Sequence, residues 1–564
     1  MILYTTLIGF TLSIVVFSSF GEDSVKTDVS MSEEKLFFNG VVYTVDPDNP
    51  WVEAVWIKDG IIQYAGSESE ARRQASDQVE EIDMQGGFMM PGIHDVHVHP
   101  LEAATESFQF ILDDSIDDPE DYKEPIADAN RRFPGNDWLL GWGHWIDTPL
   151  EATRPPKEII DAVVSDRPIA ILEQTSHSVW CNSKALELLN ISNATPDPPG
   201  GVIMREENGE ASGILVDNAG NLMLDVALAP NPSRSENDYL GLLEFSLPEL
   251  RKYGITSICD ARTYWKRAHH MTWRKINEEN KLTVRVVLGL WAYPNEDDLE
   301  QINSLKSLYS NDANSLLRMC QIKLYIDGIV HNTTSAMHDD FRIDYFERPV
   351  NNGLNYFTKE RIEHYISILE STGFDFHIHA IGNRGVHEAL NAIKLGSTGI
   401  GRHRLTHVEY IDRRDISRFA ELNVTADAQV AGDFTQPENW HHNDYLLDPS
   451  LNENVIPLKS LQESGARITL SSDWDVSTLN PFEGLQNAIT RTPQELTLEE
   501  AIKAYTIHGA YTMRQEHIVG SIEAGKEADV ILLDRNLFEI PVDQISQTVV
   551  LKTFIRGQKV YEKL

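Results

Sequence analysis

Cysteine is nearly absent. The 564-residue chain has three, Cys181, Cys259 and Cys320, far apart and without C-x-x-C spacing. That excludes a disulfide framework and a thiolate metal site, and all three are expected to be packed side chains. Positive charge is also short: 48 Lys and Arg stand against 87 Asp and Glu, a formal net charge of −39. Such a chain repels nucleic acid and anionic membrane surfaces, which removes nucleic-acid binding from consideration. There are no internal repeats and no low-complexity tract.

Long apolar runs are missing with one exception. Residues 1–21, MILYTTLIGFTLSIVVFSSFG, carry no charged side chain and break into a polar stretch, EDSVKTDVSMSEEK. This reads as a secretory signal with Ser and Gly near its end, followed by a flexible linker over 22–34. No Lys or Arg precedes the run, so a membrane anchor is the rival, since about 20 apolar residues span a bilayer. The expectation is a cleaved leader and a secreted or periplasmic protein. Membrane association would arise only through residues 1–21.

What is present is enough apolar side chain, 41% of the chain, to build a sizeable core. KLFFNGVVYTVD (35–46) and EAVWIKDGIIQYAG (53–66) are rich in β-branched and aromatic residues and punctuated by Asn-Gly and Asp-Gly. ADVILLD (528–534) and VVLKTFIRGQKVYEKL (549–564) repeat the style. Strands at both ends predict a small β-sandwich from residues 35–90 and 515–564.

Between them, short apolar strands alternate with helical stretches, the pattern of βα units around a parallel sheet. Candidate strands are GIHDVHVH (92–99), GITSICDA (254–261), VRVVLGLW (284–291), IKLYIDG (322–328), FDFHIHAIG (374–382), RLTHVEYI (404–411), NVTADAQV (423–430) and ITLSSDWD (468–475). Eight strands close a β/α barrel. The fold class is therefore α/β, a TIM-like (β/α)8 barrel over 91–514 with helix-like and turn-rich pieces inserted at 101–240, over its mouth.

The polar residues on those strands converge. His97 and His99 are two apart and point to one side of a strand, at the C-terminal end where barrel enzymes build their sites. His377 and His379 share that arrangement, His407 lies on the sixth strand, Asp473 late on the eighth, and Lys323 in the fourth among apolar neighbours. One buried histidine is usually a core residue. Several imidazoles and a carboxylate on one rim suit zinc and similar divalent ions. His94 lies an odd number of residues from both His97 and His99, so it points away and is structural.

PGIHDVHVHP resembles the first-strand motif of the amidohydrolase superfamily, and KLYIDG, HIHAIGN, RLTHVEY and SSDWD its fourth, fifth, sixth and eighth. RPIAILEQTSHSVWCNSKAL (167–186) and GEASGILVDNA (209–219) resemble the branch containing N-substituted formamide deformylases, and GSIEAGKEADVILLD (520–534) the return into the sandwich. The likeness runs from about residue 35 to the end. It implies metal ligands at His97, His99, His379 and His407, with Asp473 beside the metal as the proton-transferring group. It implies one or two divalent ions, zinc first, and a carboxylated Lys323 bridging two. The alternative for Lys323 is a bare lysine paired with Asp327 or Asp473. His377 is then a supporting residue. His177 resembles a recurrent histidine of the branch and is a candidate substrate contact or a loop cap. Two positions depart from the branch: Asn383 stands where Asp is usual, and Thr406 where Glu is usual. Trp142, Trp145 and Trp180 fit the insertion core better than a substrate pocket.

The activity implied is hydrolysis of an amide or formamide-type C–N bond of a small molecule by metal-bound hydroxide, an ion lowering the pKa of water from about 15.7 to about 7. Ester hydrolysis or ring deamination is the alternative, and an inactive binding or regulatory protein on this scaffold a third. Self-association stays open.

Overall fold

The computed structural model describes residues 33–104, 108–135, 137–343, 345–346, 351–432 and 435–563. The leader and all but the last two residues of the predicted linker lie outside them. Among the described residues no helix is long and apolar enough to cross a membrane.

Eight parallel strands form the central sheet: β1 (Ile93–Val98), β2 (Ile255–Thr263), β3 (Arg285–Trp291), β4 (Leu317–Tyr325), β5 (Asp375–Ala380), β6 (Arg404–His407), β7 (Thr425–Ala428) and β8 (Ile468–Leu470). Each pairs with the next in chain order. The ring closes through the segment after β8, where the Asp473 N–H donates to the His97 carbonyl at 2.9 Å and the His99 N–H to the Trp474 carbonyl at 2.6 Å. Every residue of β1 to β8 is buried. In β4 and β5 apolar residues alternate with Gln321 and Lys323, and with Asp375, His377 and His379. Ile322, Leu324, Phe376 and Ile378 join the large core, while the alternate positions leave an unusually polar interior.

The intervening helices form where caps and apolar spacing coincide. Lys359–Leu369 begins at Thr358, whose side chain accepts the Arg361 N–H, and buries Ile362, Tyr365, Ile366 and Leu369, at three- and four-residue spacing. Asn383–Gly396 follows β5 and buries Val386, Ala389, Leu390 and Ile393 in the same way.

The segment between β1 and β2 differs from its helix-like, turn-rich reading. It contains a six-stranded mixed sheet running from Phe110–Ile111 to Ala211–Asp217, with helices on it. Strands such as Ile169–Glu173 and Ser178–Cys181 are buried on both faces, so they lack the alternation that marks a strand in sequence. Trp180 lies in one insertion core and Trp142 packs against another, whereas Trp145 lines the barrel-mouth cavity. All three cysteines are buried and free.

The termini build two further sheets. Ile61–Gly66, Ala54–Lys58, Glu34–Phe38 and Glu80–Asp83 form one, so the first strand includes Glu34, the end of the expected linker. The other joins Val41–Tyr43, Trp51–Val52 and Phe88–Pro91 to Val530–Leu533, Val550–Ile555 and Gln558–Glu562. Phe37, Val55, Met89, Leu532 and Phe554 pack between them. Asp59-Gly60 makes the expected hairpin turn, with φ of 51° and 80°. Asn39-Gly40 does not, because it passes the chain from one sheet to the other. A Cβ on Gly40 would lie 2.7 Å from the Gly87 carbonyl oxygen.

Arg285, at the start of β3, ties the barrel to this sandwich. Its Nε donates to Asp529 Oδ2 at 2.6 Å and its Nη2 to Asp529 Oδ1 at 3.2 Å, both side chains almost fully buried. Asp529→Ala would leave the guanidinium under-compensated, and a loss of about 3–5 kcal/mol is expected on denaturant titration. A loss under about 1 kcal/mol would mean that Glu527, the guanidinium's second partner, suffices.

Candidate active site

The C-terminal ends of the barrel strands gather the histidines. His97 is in β1, and His99 directly follows that strand, bonded through its N–H to the closing segment. Lys323 is in β4, His379 in β5 and His407 at the end of β6. Asp473 follows β8 by three residues. Its carboxylate is the common partner: Oδ1 is 2.8 Å from His99 Nε2 and 3.3 Å from His97 Nε2, and Oδ2 is 3.9 Å from His407 Nδ1. His407 and Asp473 both hold positive φ, 73° and 55°. Such conformations cost roughly 1–3 kcal/mol and persist where surrounding structure enforces them, commonly at functional sites.

Electrostatics favour ligation. Burial drives His407 down to about 3 and His97 well below its ordinary value, so both imidazoles are neutral with bare nitrogens. Burial would raise Asp473, but His97 and His99 outweigh it and hold the carboxyl well below its usual range. Ligand atoms of His97, His407 and Asp473 all lie within 4.8 Å of one another. His379 donates from Nε2 to the Gly328 carbonyl at 3.1 Å, and its buried Nδ1 has no partner. An orphaned imidazole nitrogen beside a neutral-histidine and carboxylate set fits a divalent ion.

A second group, His97, His377 and Asp427, also meets the 4.8 Å spacing. Its atoms are engaged with the protein. His377 stands 3.0 Å from His97 Nδ1 and 2.7 Å from Arg404 Nη2, and Asp427 accepts from Thr406, Thr469 and Ser471. It supports the site from below. His94 points elsewhere, with Nδ1 3.2 Å from the Gly92 carbonyl and its ring against Gly509.

Lys323 is fully buried, with Nζ 3.4 Å from His97 Nε2. It has no carboxylate within ion-pair distance among the described residues. Asp327 does not serve as one: it accepts the backbone N–H groups of Ala336, Ile381 and Gly382. Burial pushes the Lys323 amine well below its ordinary value.

Several supporting roles were not assigned from the sequence. Thr406 takes a hydrogen bond from His97 Nδ1 at 2.7 Å and passes its own to Asp427 Oδ2 at 2.7 Å. A carboxylate from the neighbouring strand β7 thus reaches His97 through the Thr406 hydroxyl. Asp427 was detectable, since Thr425, Asp427 and Gln429 alternate through an otherwise apolar strand. Thr406→Val is expected to weaken metal affinity by about 10–100-fold with the fold intact, as loss of such outer partners does, measured by competition with a chelator. Unchanged affinity would show that Asp427 orients nothing. Glu102 and Arg262 flank His99: Glu102 Oε2 is 3.5 Å from His99 Nδ1 and 2.8 Å from Arg262 Nη2. No spacing rule points to them. Asn383 holds the loop after β4, accepting the His338 N–H and donating to Asp412.

Above the set is a cavity of about 430 Å³, lined by His99, His379, His407 and Asp473 below and by Trp145, His177 and Ile329 among others. The insertion supplies Trp145, Asp147, Thr175 and His177 to this wall. His177 thus reaches the cavity wall while it also ties its loop to Asp217.

A parallel eight-strand barrel with a histidine and carboxylate cluster at the C-terminal ends of its strands, roofed by an insertion, is the architecture of a barrel hydrolase. Residues 80–561 match the amidohydrolase family, and the chain belongs to it. It is 28% identical over 558 residues to YtcJ of Bacillus subtilis (strain 168), covering 94% of this chain and 99% of that one. The N-substituted formamide deformylase of Arthrobacter pascens is 25% identical over 557 residues, covering 95% and 99%. An uncharacterized metal-dependent hydrolase from Pyrococcus horikoshii OT3 shares the fold at a TM-score of 0.70 and 22% identity, over 91% of this chain and 99% of that one.

Proposed function

We propose that this enzyme hydrolyses the C–N bond of a small secondary amide of the N-substituted formamide type. The observation that carries the reading is the placement of Asp473 among His97, His99 and His407 on the floor of the cavity at the barrel mouth. His97, His99, His379, His407 and Asp473 would hold zinc, and a carboxylated Lys323 would help to hold a second ion. When bound, such an ion supplies an acidified water and polarises the substrate carbonyl.

The chain's own residues do the rest. Asp473, ionised and hydrogen-bonded, accepts the proton that water loses as its oxygen bonds to the carbonyl carbon. It returns that proton to the nitrogen as the C–N bond breaks, so a carboxylic acid and an amine leave, the acid's proton passing to the amine in solution. Trp145, Ile329 and Val330 give the cavity an apolar wall for the N-substituent. The similarity to a formamide deformylase over nearly both full chains supports the bond class.

The test is elemental analysis of protein purified without chelator, followed by assay of N-substituted formamides, other amides and esters. One or two equivalents of zinc with formamide turnover is the expected result. Failure to take up any metal would overturn the reading and favour a binding protein on this scaffold.

A further inference from the structure

His177 stands just ahead of the insertion strand Ser178–Cys181, and Asp217 ends the antiparallel neighbour Ala211–Asp217. The two are joined twice. His177 Nδ1 lies 2.6 Å from Asp217 Oδ1, and the Asp217 N–H donates to the His177 carbonyl at 2.6 Å. Asp217 holds φ 51° and ψ −122°, a sparsely populated conformation for a residue with a side chain. Tyr356, from the loop after β4, donates its hydroxyl to the same Oδ1 at 2.8 Å. Gly328 makes room from below, since a Cβ there would lie 2.7 Å from Asp217 Oδ2. The Gly328 carbonyl is the one that orients His379. His177 itself lines the cavity, its ring 5.6 Å from that of His379 and stacked at 5.7 Å on Tyr325.

This arrangement has a chemical consequence. Asp217 Oδ1 accepts from both Tyr356 and His177, so the imidazole tautomer this geometry selects carries its hydrogen on Nδ1. Nε2 is then a bare acceptor and the ring's remaining nitrogen, on a residue nine-tenths buried against the cavity. That nitrogen faces the cavity, and among the described residues no group bonds it, so a cavity ligand can.

We infer that His177 Nε2 accepts a hydrogen bond from the N–H of the scissile amide, which makes the enzyme selective for secondary amides over N,N-disubstituted amides. The inference rests on the amide-hydrolase reading above and deepens it. Asp217 and Tyr356 are positioning residues, holding the ring's tautomer and angle. A substrate with N–CH3 in place of N–H would put a methyl group against the acceptor and leave it unsatisfied.

The experiment compares kcat/KM for an N-alkyl formamide and its N-methylated counterpart in the full-length wild type, His177→Phe and His177→Gln. The wild type is expected to prefer the secondary amide by about 10–100-fold, one hydrogen bond's worth. His177→Phe should erase the preference by lowering the secondary substrate alone, and His177→Gln, whose amide oxygen can accept, should restore part of it. Nitrogen-15 spectra of histidine-labelled protein, with His177 assigned by its loss in the Gln variant, should show a protonated Nδ1 and a bare Nε2. Tyr356→Phe should shift that signal and alter KM more than kcat. Turnover of both amides at similar rates, or a preference that survives in the Phe variant, overturns the inference alone, as does a proton found on Nε2. No turnover of either amide overturns the amide reading, and the selectivity with it.

Discussion

Asp473→Asn should give a folded protein that still binds metal but turns over substrate on the order of 10²–10⁴-fold more slowly. The reasoning starts from geometry. Asparagine is nearly isosteric, and its Oδ1 can keep the contacts that Asp473 Oδ1 makes at 2.8 Å to His99 and 3.3 Å to His97. The backbone bond that fixes the residue, from Asp473 N–H to the His97 carbonyl, is unaffected. What is lost is the negative charge and the basic oxygen, and with them the path from the attacking water to the leaving nitrogen. The loss should appear in kcat with little change in KM, because nothing that binds the ground state is removed. Metal content near the wild-type value, measured on the same sample, separates a chemical defect from an empty site. A variant retaining near-full kcat would take the proton-transfer role away from Asp473.

The second large effect is expected at Lys323. A fully buried amine with no carboxylate partner among the described residues is costly as a cation, and burial holds its proton affinity well down. The neutral amine is a nucleophile for carbon dioxide: Nζ bonds to the carbon, one proton is lost, and the product is an anionic carbamate. That anion would lie beside His97, whose Nε2 is 3.4 Å away. Lys323→Met keeps the volume and removes the nitrogen. It should cost one metal equivalent and at least about 10²-fold in turnover, the usual penalty for losing a transition-state electrostatic group. The metal-free variant should be no less stable than the metal-free wild type, since a buried unpaired amine has been replaced by an apolar chain. Wild type prepared free of carbon dioxide should bind less metal and regain it on adding bicarbonate. One equivalent throughout, with no response to bicarbonate, would assign Lys323 as a bare lysine.

Much of this was visible in the sequence, and the reason is strand geometry. A parallel barrel buries each strand on both faces, so strands stand out as short apolar runs, and polar residues two apart fall on one side. That is why His97 with His99, His377 with His379, and Lys323 could be assigned to the barrel before its assembly was known. The insertion was harder for the same reason. Ile169–Glu173 and Ser178–Cys181 are buried throughout and give no alternation to separate strand from core helix.

By itself, then, the sequence determined the order of eight strands, the clustering of imidazoles near their ends and the enclosure of the barrel by strands from both termini. Each of these is encoded by local spacing. Only the tertiary structure decided the partners. It brought Asp427 to Thr406 across 21 positions and Thr406 to His97 across 309, Asp473 to His99 across 374, and Asp217 to His177 across 40. It also denied Lys323 the partner that Asp327 seemed to offer four residues on, because backbone N–H groups of later loops occupy that carboxylate. Hydrogen-bond partners across a barrel depend on register, twist and loop closure, which are properties of the assembled sheet and leave no mark in the spacing of residues along the chain.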